Sequence, residues 1–451
     1  MKLTDIVDTA DARDFVTENS ILQVKVGAFD HDTILRGQYL SPESFYTCLQ
    51  SGLRLSEQYN APDTSAVSNK LLLANSFSDS LVNVVLNTGR PLPQERDAVL
   101  FLAEFPEHQY GICPRQSLKR VLRIAEDMRM IAQANLRYDF YLFDETAHSL
   151  QEKGYQSPTP LTPSQYGHSL LRSAINHDFF EALLDMCRTM QMPLAELQTK
   201  EGPGLVSAML PISTALRAAD NAALLKTFSK ILAQRFGWLA SFMAKWSMQH
   251  PGCDSRLRLK LTNDEKDPLF FDPANNHKMS QIMQYFVAGQ LALMPELAII
   301  FLPTINAYTR LAHGFSCPKQ ACWGIENKTC AIRVLSYNDE NIQTECRLGG
   351  ADTNPYLCIM AALASGLYGI QQKLPLEKPV IGSAYQISLD ARHQLPDNLL
   401  DAVRKFKNSS FAREWFGDDF VEFYAASREK EAIEANRYIT DWQLKRYFEM
   451  I

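Results

Sequence analysis

The 451-residue sequence lacks the features of a membrane, secreted or nucleic-acid-binding protein. Its longest apolar stretch, LALMPELAIIFL, contains a glutamate and is too short to span a bilayer. The acidic N-terminus, MKLTDIVDTADARDF, has no apolar segment of the kind found in signal peptides. The 45 basic and 51 acidic side chains are mixed along the chain without a basic stretch. We therefore expect neither a membrane nor a nucleic acid as a partner.

Cysteine motifs are absent as well. The nine cysteines are single, with no CxxC pair and no histidine-rich tract beside them. This pattern predicts reduced thiols in a cytoplasmic protein. Cys317, Cys322 and Cys330 lie close together in sequence, and for these we favour alternating burial on strands over reactive thiols.

Apolar residues are plentiful: 46% of the chain is hydrophobic and 21% is charged, which is typical of a folded protein with a large core. Residues 1–105 contain three β-rich runs, beginning at Ile21, Leu81 and Ala98, separated by polar segments. This pattern predicts a small N-terminal domain. From residue 106 to 451 strand-like runs alternate with helical periodicity, which predicts a second, larger domain.

Helical periodicity begins after Pro114. Apolar residues recur three and four apart in RQSLKRVLRIAEDMRMIAQA, which predicts one helix that leads into a strand at Leu136. Strand-like runs follow in SRLRLKL, CAIRVLS and TECRL, and the charged tail from Ala402 predicts several helices. Further helical patterns cover residues 168–191, 213–236, 278–300 and 352–371.

Three linked segments carry a family resemblance. They are PTINAYTRL from Pro303, CWGIENKTCAIRV from Cys322, and ECRLGGADTNPYLCIMAALASGLYGI from Glu345. In order and spacing they resemble the catalytic domain of the glutamine synthetase family. Shorter matches, such as FDHDTILRGQ from Phe29, extend the resemblance over almost the whole chain. WGIENKT and the closing DWQLKRYFE look most like the γ-glutamyl-amine ligases, the γ-glutamylpolyamine synthetase type.

The resemblance implies an α+β fold, with an N-terminal β-grasp domain and a catalytic domain built on a curved antiparallel sheet with flanking helices. It also implies a ring-shaped oligomer whose active sites lie between neighbouring subunits. Members of the family phosphorylate the γ-carboxylate of glutamate with ATP and join it to an amine. Divalent ions, held by glutamates and a histidine, neutralise the phosphate charge during this reaction.

The residues that match the family's metal positions have changed. The E-x-E pair of the family is replaced by RYD, with Arg137 and Asp139 at its ends. The H-x-H strand is replaced by RLR, which begins at Arg256. The family has two further glutamates, and this chain lacks both, with Lys200 in place of the first, unless Glu201 is recruited by a shift of one residue.

Only the carboxylate of Glu345 survives intact at these positions. The residual candidates for metal ligation are therefore Asp139, Glu201 and Glu345. Asp139 and Glu345, together with Arg137, Lys200 and Arg256, give a formal charge of +1 where the family site is strongly negative. At an effective dielectric of about 20, two unit charges about 4 Å apart interact by roughly 4 kcal/mol, so magnesium is expected to be repelled.

This change of charge suggests three interpretations of the pocket. The first is a metal-free anion site in which Arg137, Lys200 and Arg256 bind a nucleotide such as ATP, a phosphate or a polycarboxylate. The second is an internal network in which the same cations pair with Asp139, Glu201 and Glu345. The third is real metal ligation by the remaining carboxylates.

The substrate-binding half of the family site is better preserved. Arg310 and Arg347 match family arginines that hold the carboxylate of the amino acid, and Arg333 matches one that contacts phosphate. Lys328 stands at a family arginine and keeps the charge without the bidentate fork. The alternative for these residues is a structural role, since arginines beside strands often form buried ion pairs.

Two further positions bear on the reaction. Asp30 matches the family aspartate that helps to bind ammonium in a neighbouring subunit, although the usual glycine three residues later is Thr33. A structural turn residue is the alternative for Asp30. The flap glutamate of glutamine-forming members is replaced by Ser316.

Together these residues lead to two functional hypotheses. The favoured one is a glutamine synthetase-like pseudoenzyme without catalytic residues, which binds an anionic ligand and acts as a scaffold or regulator. It would assemble with itself or with an active paralogue. The alternative is an ATP-dependent γ-glutamyl-amine ligase with reduced metal dependence. Non-ATP chemistry on an anionic substrate is a third possibility, but no residue identifies such a substrate.

Overall fold

In the computed structural model, the described residues are 3, 6–56, 79–93, 95–107, 113–163, 167–313, 317–336 and 342–450. Their N-terminal part forms a five-stranded sheet in the order β2-β1-β5-β4-β3, in which β1 and β5 are parallel and the other pairs are antiparallel. The strands and helices of this part are β1 (Gln23–Phe29), β2 (Leu35–Leu40), β3 (Leu53–Ser56), β4 (Asp79–Leu92), β5 (Glu95–Glu104), and the helices Thr9–Glu18 and Pro42–Ser51.

The two faces of the first sheet pack against different cores. Successive strand residues point to opposite faces. Val99 and Phe101 face a small core shared with the two N-terminal helices, where Phe101 stacks on Phe45 at 5.4 Å between ring centroids. Leu100 and Leu102 join the main core of the chain. The first sheet is thus covered on one side by its own helices and on the other by the rest of the molecule.

The larger part of the chain is built on a nine-stranded sheet. Its main path is β12-β13-β14-β11-β6-β8-β7, with β9 and β10 also paired to β6, and all pairs are antiparallel except β12 with β13. The strands are β6 (Ile131–Phe143), β7 (Glu196–Thr199), β8 (Leu205–Met209), β9 (Ser213–Thr214), β10 (Leu239–Ser241), β11 (Ser255–Thr262), β12 (Trp323–Ile325), β13 (Ile332–Ser336) and β14 (Ile342–Cys346).

Helices flank this sheet and close the core. The helices Gln281–Phe301 and Pro355–Gln371 approach closely, because a Cβ on Gly289 would lie only 2.7 Å from the Cα of Gly369. The other α-helices are Pro114–Asp127, Ala147–Glu152, Leu170–Ile175, His177–Thr189, Ala215–Arg235, Ile305–His313, Leu399–Lys407, Ser410–Phe416, Asp418–Ala435 and Asp441–Tyr447.

Within the described residues, one helix is long and apolar enough to cross a membrane. This helix, Gln281–Phe301, has 21 residues, and its 18-residue apolar segment has a mean hydropathy of 1.3. However, 78% of that segment is buried inside the protein. The sequence analysis considered the apolar stretch too short to span a bilayer. In the structure this stretch is part of a longer helix, whose 21 residues are enough to span one. Burial in the core accounts for the apolar composition.

Most predicted elements are present, with two errors. The helix predicted from Arg115 ends at Asp127, where Arg129 adopts a φ of 56°, and strand β6 begins at Ile131. The helix predicted over 168–191 is broken at Asn176, which has non-helical φ and ψ angles.

The mixed strand and helix content confirms the predicted α+β fold. The boundary at residues 105 and 106 and the β-grasp character of the N-terminal part stay predictions.

Candidate functional site

Arginines from neighbouring strands meet on one face of the large sheet. In the strand register Arg333 lies opposite Glu345, Glu345 lies opposite Arg258, and Arg256 lies opposite Arg137. Residues paired across strands, and residues two apart on a strand, share a face of the sheet. We call the resulting group the arginine face; its members are Arg137, Arg256, Arg258, Arg333 and Arg347, with Arg310 added from the helix Ile305–His313.

Glu345 is a centre of the arginine face. It is 1% exposed and accepts from Arg347 Nη1 at 2.8 Å, Arg258 Nε at 3.0 Å and Arg333 Nη1 at 3.4 Å. Burial alone would raise the pKa of Glu345, but the charges of Arg256, Arg347 and Arg258 lower this pKa to about 2. Glu345 is therefore ionised over the whole physiological range.

This shift predicts a dependence of stability on acid pH. A carboxylate whose pKa falls from 4.5 to about 2 on folding contributes on the order of 3 kcal/mol to the free energy of unfolding above pH 4.5. That contribution is expected to fade as the pH drops from 4.5 towards 2. Urea unfolding of the wild type and of Glu345→Gln between pH 7 and pH 3 tests this, since the variant should lose less stability over the interval. Equal losses in both proteins would contradict it.

Asp254 is a second buried carboxylate that pairs with arginines of this face, and the sequence analysis did not identify it. Its Oδ2 accepts from Arg256 Nη2 at 2.5 Å and its Oδ1 accepts from Arg310 Nη1 at 2.6 Å. Arg256 and Arg310 are 4% and 1% exposed, so both pairs are buried. Asp254 lies two residues before Arg256, and this period-two spacing was a signal in the sequence that could have identified it.

The remaining predicted residues are less closely joined. Asp139 is buried, and its Oδ1 lies 3.9 Å from Arg137 Nε. Glu201 is exposed, with its carboxylate 3.9 Å from the His168 imidazole. Lys200 lies just after β7, where its N–H donates to the Leu205 carbonyl at 2.9 Å.

Lys328 is exposed in the turn between β12 and β13. In the described part of the chain, no ion pair links Lys200, Glu201 or Lys328 to the arginine face. Of the internal network predicted from the sequence, the Arg137–Asp139 pair is present. The other pairs differ: Asp254 pairs with Arg256, and Arg258 rather than Arg256 bonds to Glu345.

The side chains of the arginine face do not fit a magnesium ion. Magnesium requires several oxygen ligands in octahedral geometry. Both oxygens of Glu345 accept from guanidinium groups, and the described residues contain no group of three or more His, Cys, Asp or Glu side chains that could hold a metal.

Positive charge is in excess on the arginine face. Its six arginines are balanced by four carboxylates, those of Asp139, Asp254, Glu326 and Glu345, which leaves two positive charges. The pKa of Arg347 falls to about 10, because of burial first and the neighbouring Arg256 charge second. Among the described residues, the buried Nε–H groups without a hydrogen-bond partner include those of Arg137, Arg256, Arg310 and Arg347. An anion bound to the more exposed arginines would compensate the excess charge.

The loop around Asp30 has a defined structural task. Asp30 is 4% exposed and accepts from the N–H groups of Asp32 and Ile34 at 3.0 and 2.8 Å and from Arg36 Nε at 3.0 Å. Thr33 adopts a φ of 64°, the left-handed conformation in which glycine is usual. These bonds agree with the turn alternative for Asp30, and an ammonium-binding role stays a prediction. Ser316 lies outside the described residues.

Asn354 joins this loop to the large sheet region. Its side-chain oxygen caps the helix Pro355–Gln371 by accepting from Tyr356 N at 3.0 Å, while its Nδ2 donates to the Asp30 carbonyl at 3.0 Å. One side chain thus fixes both the helix start and the N-terminal loop beside it.

Comparisons with known proteins agree with this architecture. Residues 111–447 match the family described as glutamine synthetase, catalytic domain. The chain is 34% identical over 438 residues to type-1 glutamine synthetase 2 of Dictyostelium discoideum, covering 95% of this chain and 84% of that one. It is 29% identical over 459 residues to glutamate–isopropylamine ligase of a Pseudomonas species, covering 97% of each.

A solved structure described as apo GmaS without ligand has the same fold. It superposes with a TM-score of 0.84 at 20% identity, covering 97% of this chain and 99% of that one. The resemblance found in the sequence is thereby confirmed: the chain belongs to the glutamine synthetase family.

Proposed function

We propose that the chain is an ATP-dependent ligase that joins an amine to the γ-carboxylate of glutamate or of a similar acid. Its family membership and its similarity to a glutamate–isopropylamine ligase support this proposal. The sequence analysis favoured a pseudoenzyme, but the relatives give that interpretation no support. The ligase alternative agrees with them better.

The observation that carries the proposal is the excess positive charge of the arginine face. Guanidinium groups bind both phosphate and carboxylate through parallel hydrogen bonds. Two uncompensated positive charges favour an anionic occupant. We infer that the arginines offset the substrate charge that divalent ions offset elsewhere in the family, which implies reduced metal dependence and a small anionic ligand such as ATP.

Exposure divides the arginine face into two sets. The side chains of Arg137, Arg258 and Arg333 are 18%, 16% and 11% exposed, so they can contact an anion. Arg256 and Arg310 are almost fully buried and bound to Asp254, so they position the strands below the site. This assignment gives Arg310 a supporting task in place of the direct carboxylate contact implied by the family.

Release of ADP tests the proposal directly. The protein should release ADP from ATP in the presence of glutamate and one of a panel of amines, including ammonia, isopropylamine, ethanolamine and putrescine. EDTA should lower the rate only slightly. Arg258→Ala should lose turnover, whereas Arg188→Ala, at an exposed arginine that pairs with Asp185 outside the arginine face, should keep most of it. An absence of ADP release with every amine, with or without Mg²⁺ and Mn²⁺, would overturn the ligase proposal.

A second candidate is anion binding without catalysis. It is favoured by Glu345, the one surviving family carboxylate, whose two oxygens already bond to three arginines. In that case ATP or phosphate would bind without turnover, and the chain would act as a scaffold or regulator. Binding in calorimetry combined with no ADP release would select this candidate.

We propose that the protein is cytoplasmic and forms a homo-oligomeric ring. Apolar side chains near the C-terminus support self-association, since Tyr438, Trp442 and Phe448 are 75%, 64% and 82% exposed. Native mass spectrometry should detect an oligomer. Mixed rings after co-expression with an active family enzyme would instead show assembly with a paralogue.

A further inference from the structure

Two of the nine cysteines lie in contact beside the arginine face. Cys322 precedes β12 and Cys330 lies two residues before β13, and these two strands pair in parallel. The N–H of Ile332 donates to the Cys322 carbonyl at 3.0 Å, which fixes the two segments side by side. The two buried side chains form, with Ala384, a small core separate from the main one.

The two thiols differ in acidity. Cys322 is 5% exposed. A hydrogen bond from the Cys330 thiol is the main cause that lowers the pKa of Cys322 to about 7; burial opposes this shift, and a hydrogen bond from the Ala331 N–H adds to it. Cys330 is fully buried, and the same hydrogen bond raises its pKa. A thiol with a pKa near the ambient pH is the more effective attacking group in disulfide exchange. Cys322 is thus suited to attack and Cys330 to resolve.

The turn between the two cysteines belongs to the site region. Asn327 holds it, because its Oδ1 accepts from Thr329 N at 3.0 Å and its Nδ2 donates to the Gly382 carbonyl at 2.8 Å. Glu326, at the start of this turn, pairs with Arg333 of the arginine face. A covalent link across the turn would therefore act on a residue that holds the face in place.

We propose that Cys322 and Cys330 are a reversible modification site that forms a disulfide by exchange with a small-molecule disulfide. The Cys322 thiolate attacks the small disulfide and releases one thiol, giving a mixed disulfide. Cys330 then loses its proton and attacks the Cys322 sulfur, which releases the second small thiol. The protein loses two electrons and two protons, and the small disulfide gains both. This inference is independent of the proposed ligase activity.

Peptide mapping of the full-length protein tests the proposal. After incubation with oxidised glutathione and alkylation of the remaining thiols, two of the nine cysteines should be protected. Trypsin should then yield a linked pair of peptides, 320–328 and 329–333, which separates on reduction. Circular dichroism before digestion establishes that the oxidised protein is folded.

Single variants provide the matched controls. Cys322→Ser should abolish the protection and Cys330→Ser should stop the reaction at the mixed disulfide, visible as one bound glutathione by intact mass. Cys346→Ser, a buried cysteine outside the pair, should leave the crosslink unchanged. Nine free thiols in the folded wild type after oxidation, or a crosslink between other cysteines, would overturn the proposal.

Discussion

Replacing Glu345 with glutamine is expected to lower the free energy of unfolding at pH 7 by about 3–5 kcal/mol. The carboxylate is 1% exposed and accepts from Arg258, Arg333 and Arg347. The neutral amide cannot compensate three guanidinium charges that have already been removed from water, so the folded state carries uncompensated charge. Urea unfolding followed by circular dichroism measures the difference.

The matched control for this change is Glu201→Gln. Glu201 is exposed and lies 3.9 Å from His168, so its loss should change stability by no more than about 0.5 kcal/mol. Orthophosphate should raise the melting temperature of Glu345→Gln more than that of the wild type, because the variant has one further positive charge to compensate. A Glu345→Gln protein as stable as the wild type would contradict the role of Glu345 as a charge centre.

Replacing Asp254 with asparagine is expected to lower the free energy of unfolding by a similar amount, about 3–5 kcal/mol. It is also expected to weaken anion binding. The carboxylate holds Arg256 at 2.5 Å and Arg310 at 2.6 Å, and both arginines are buried. Without it, two guanidinium groups repel each other beneath the strands that carry Arg137 and Arg258. The measurement pairs urea unfolding with calorimetric titration of orthophosphate.

Asp185→Asn is the control for this second change. Asp185 pairs with Arg188 at 2.5 Å, but the two side chains are 58% and 72% exposed. An exposed pair contributes about 0–1 kcal/mol, so its loss should leave both stability and phosphate binding near wild type. If Asp185→Asn and Asp254→Asn had equal effects, burial would not be what gives Asp254 its importance.

The sequence predicted the fold and the excess positive charge of the candidate site better than it predicted which residues pair with each other. The period-two spacing predicted that Arg137 and Asp139 lie on one face of a strand. The order of the family-like segments predicted that Glu345 lies in a sheet. Strand register is set by pairing of distant segments, so local sequence could not show that Arg258, and not Arg256, lies opposite Glu345. Asp254 was missed for a different reason: it matches no family ligand, although its period-two spacing from Arg256 was visible in the sequence.

Loop residues were the least predictable part of the candidate site. Lys200 and Glu201 follow the short strand β7. Which way a loop side chain points depends on tertiary contacts, and Glu201 turns to solvent and His168. At the end of the helix Pro114–Asp127 the apolar spacing continued into β6, so periodicity alone could not mark the change of structure near Arg129.

The central claim is that the arginine face binds an anion without a divalent ion. Calorimetric titration of ATP into the protein, in EDTA and in excess Mg²⁺, tests it most directly. The account predicts binding in both, with dissociation constants within about threefold of each other, a difference of less than about 0.7 kcal/mol. Binding that occurs only when Mg²⁺ is present would contradict it.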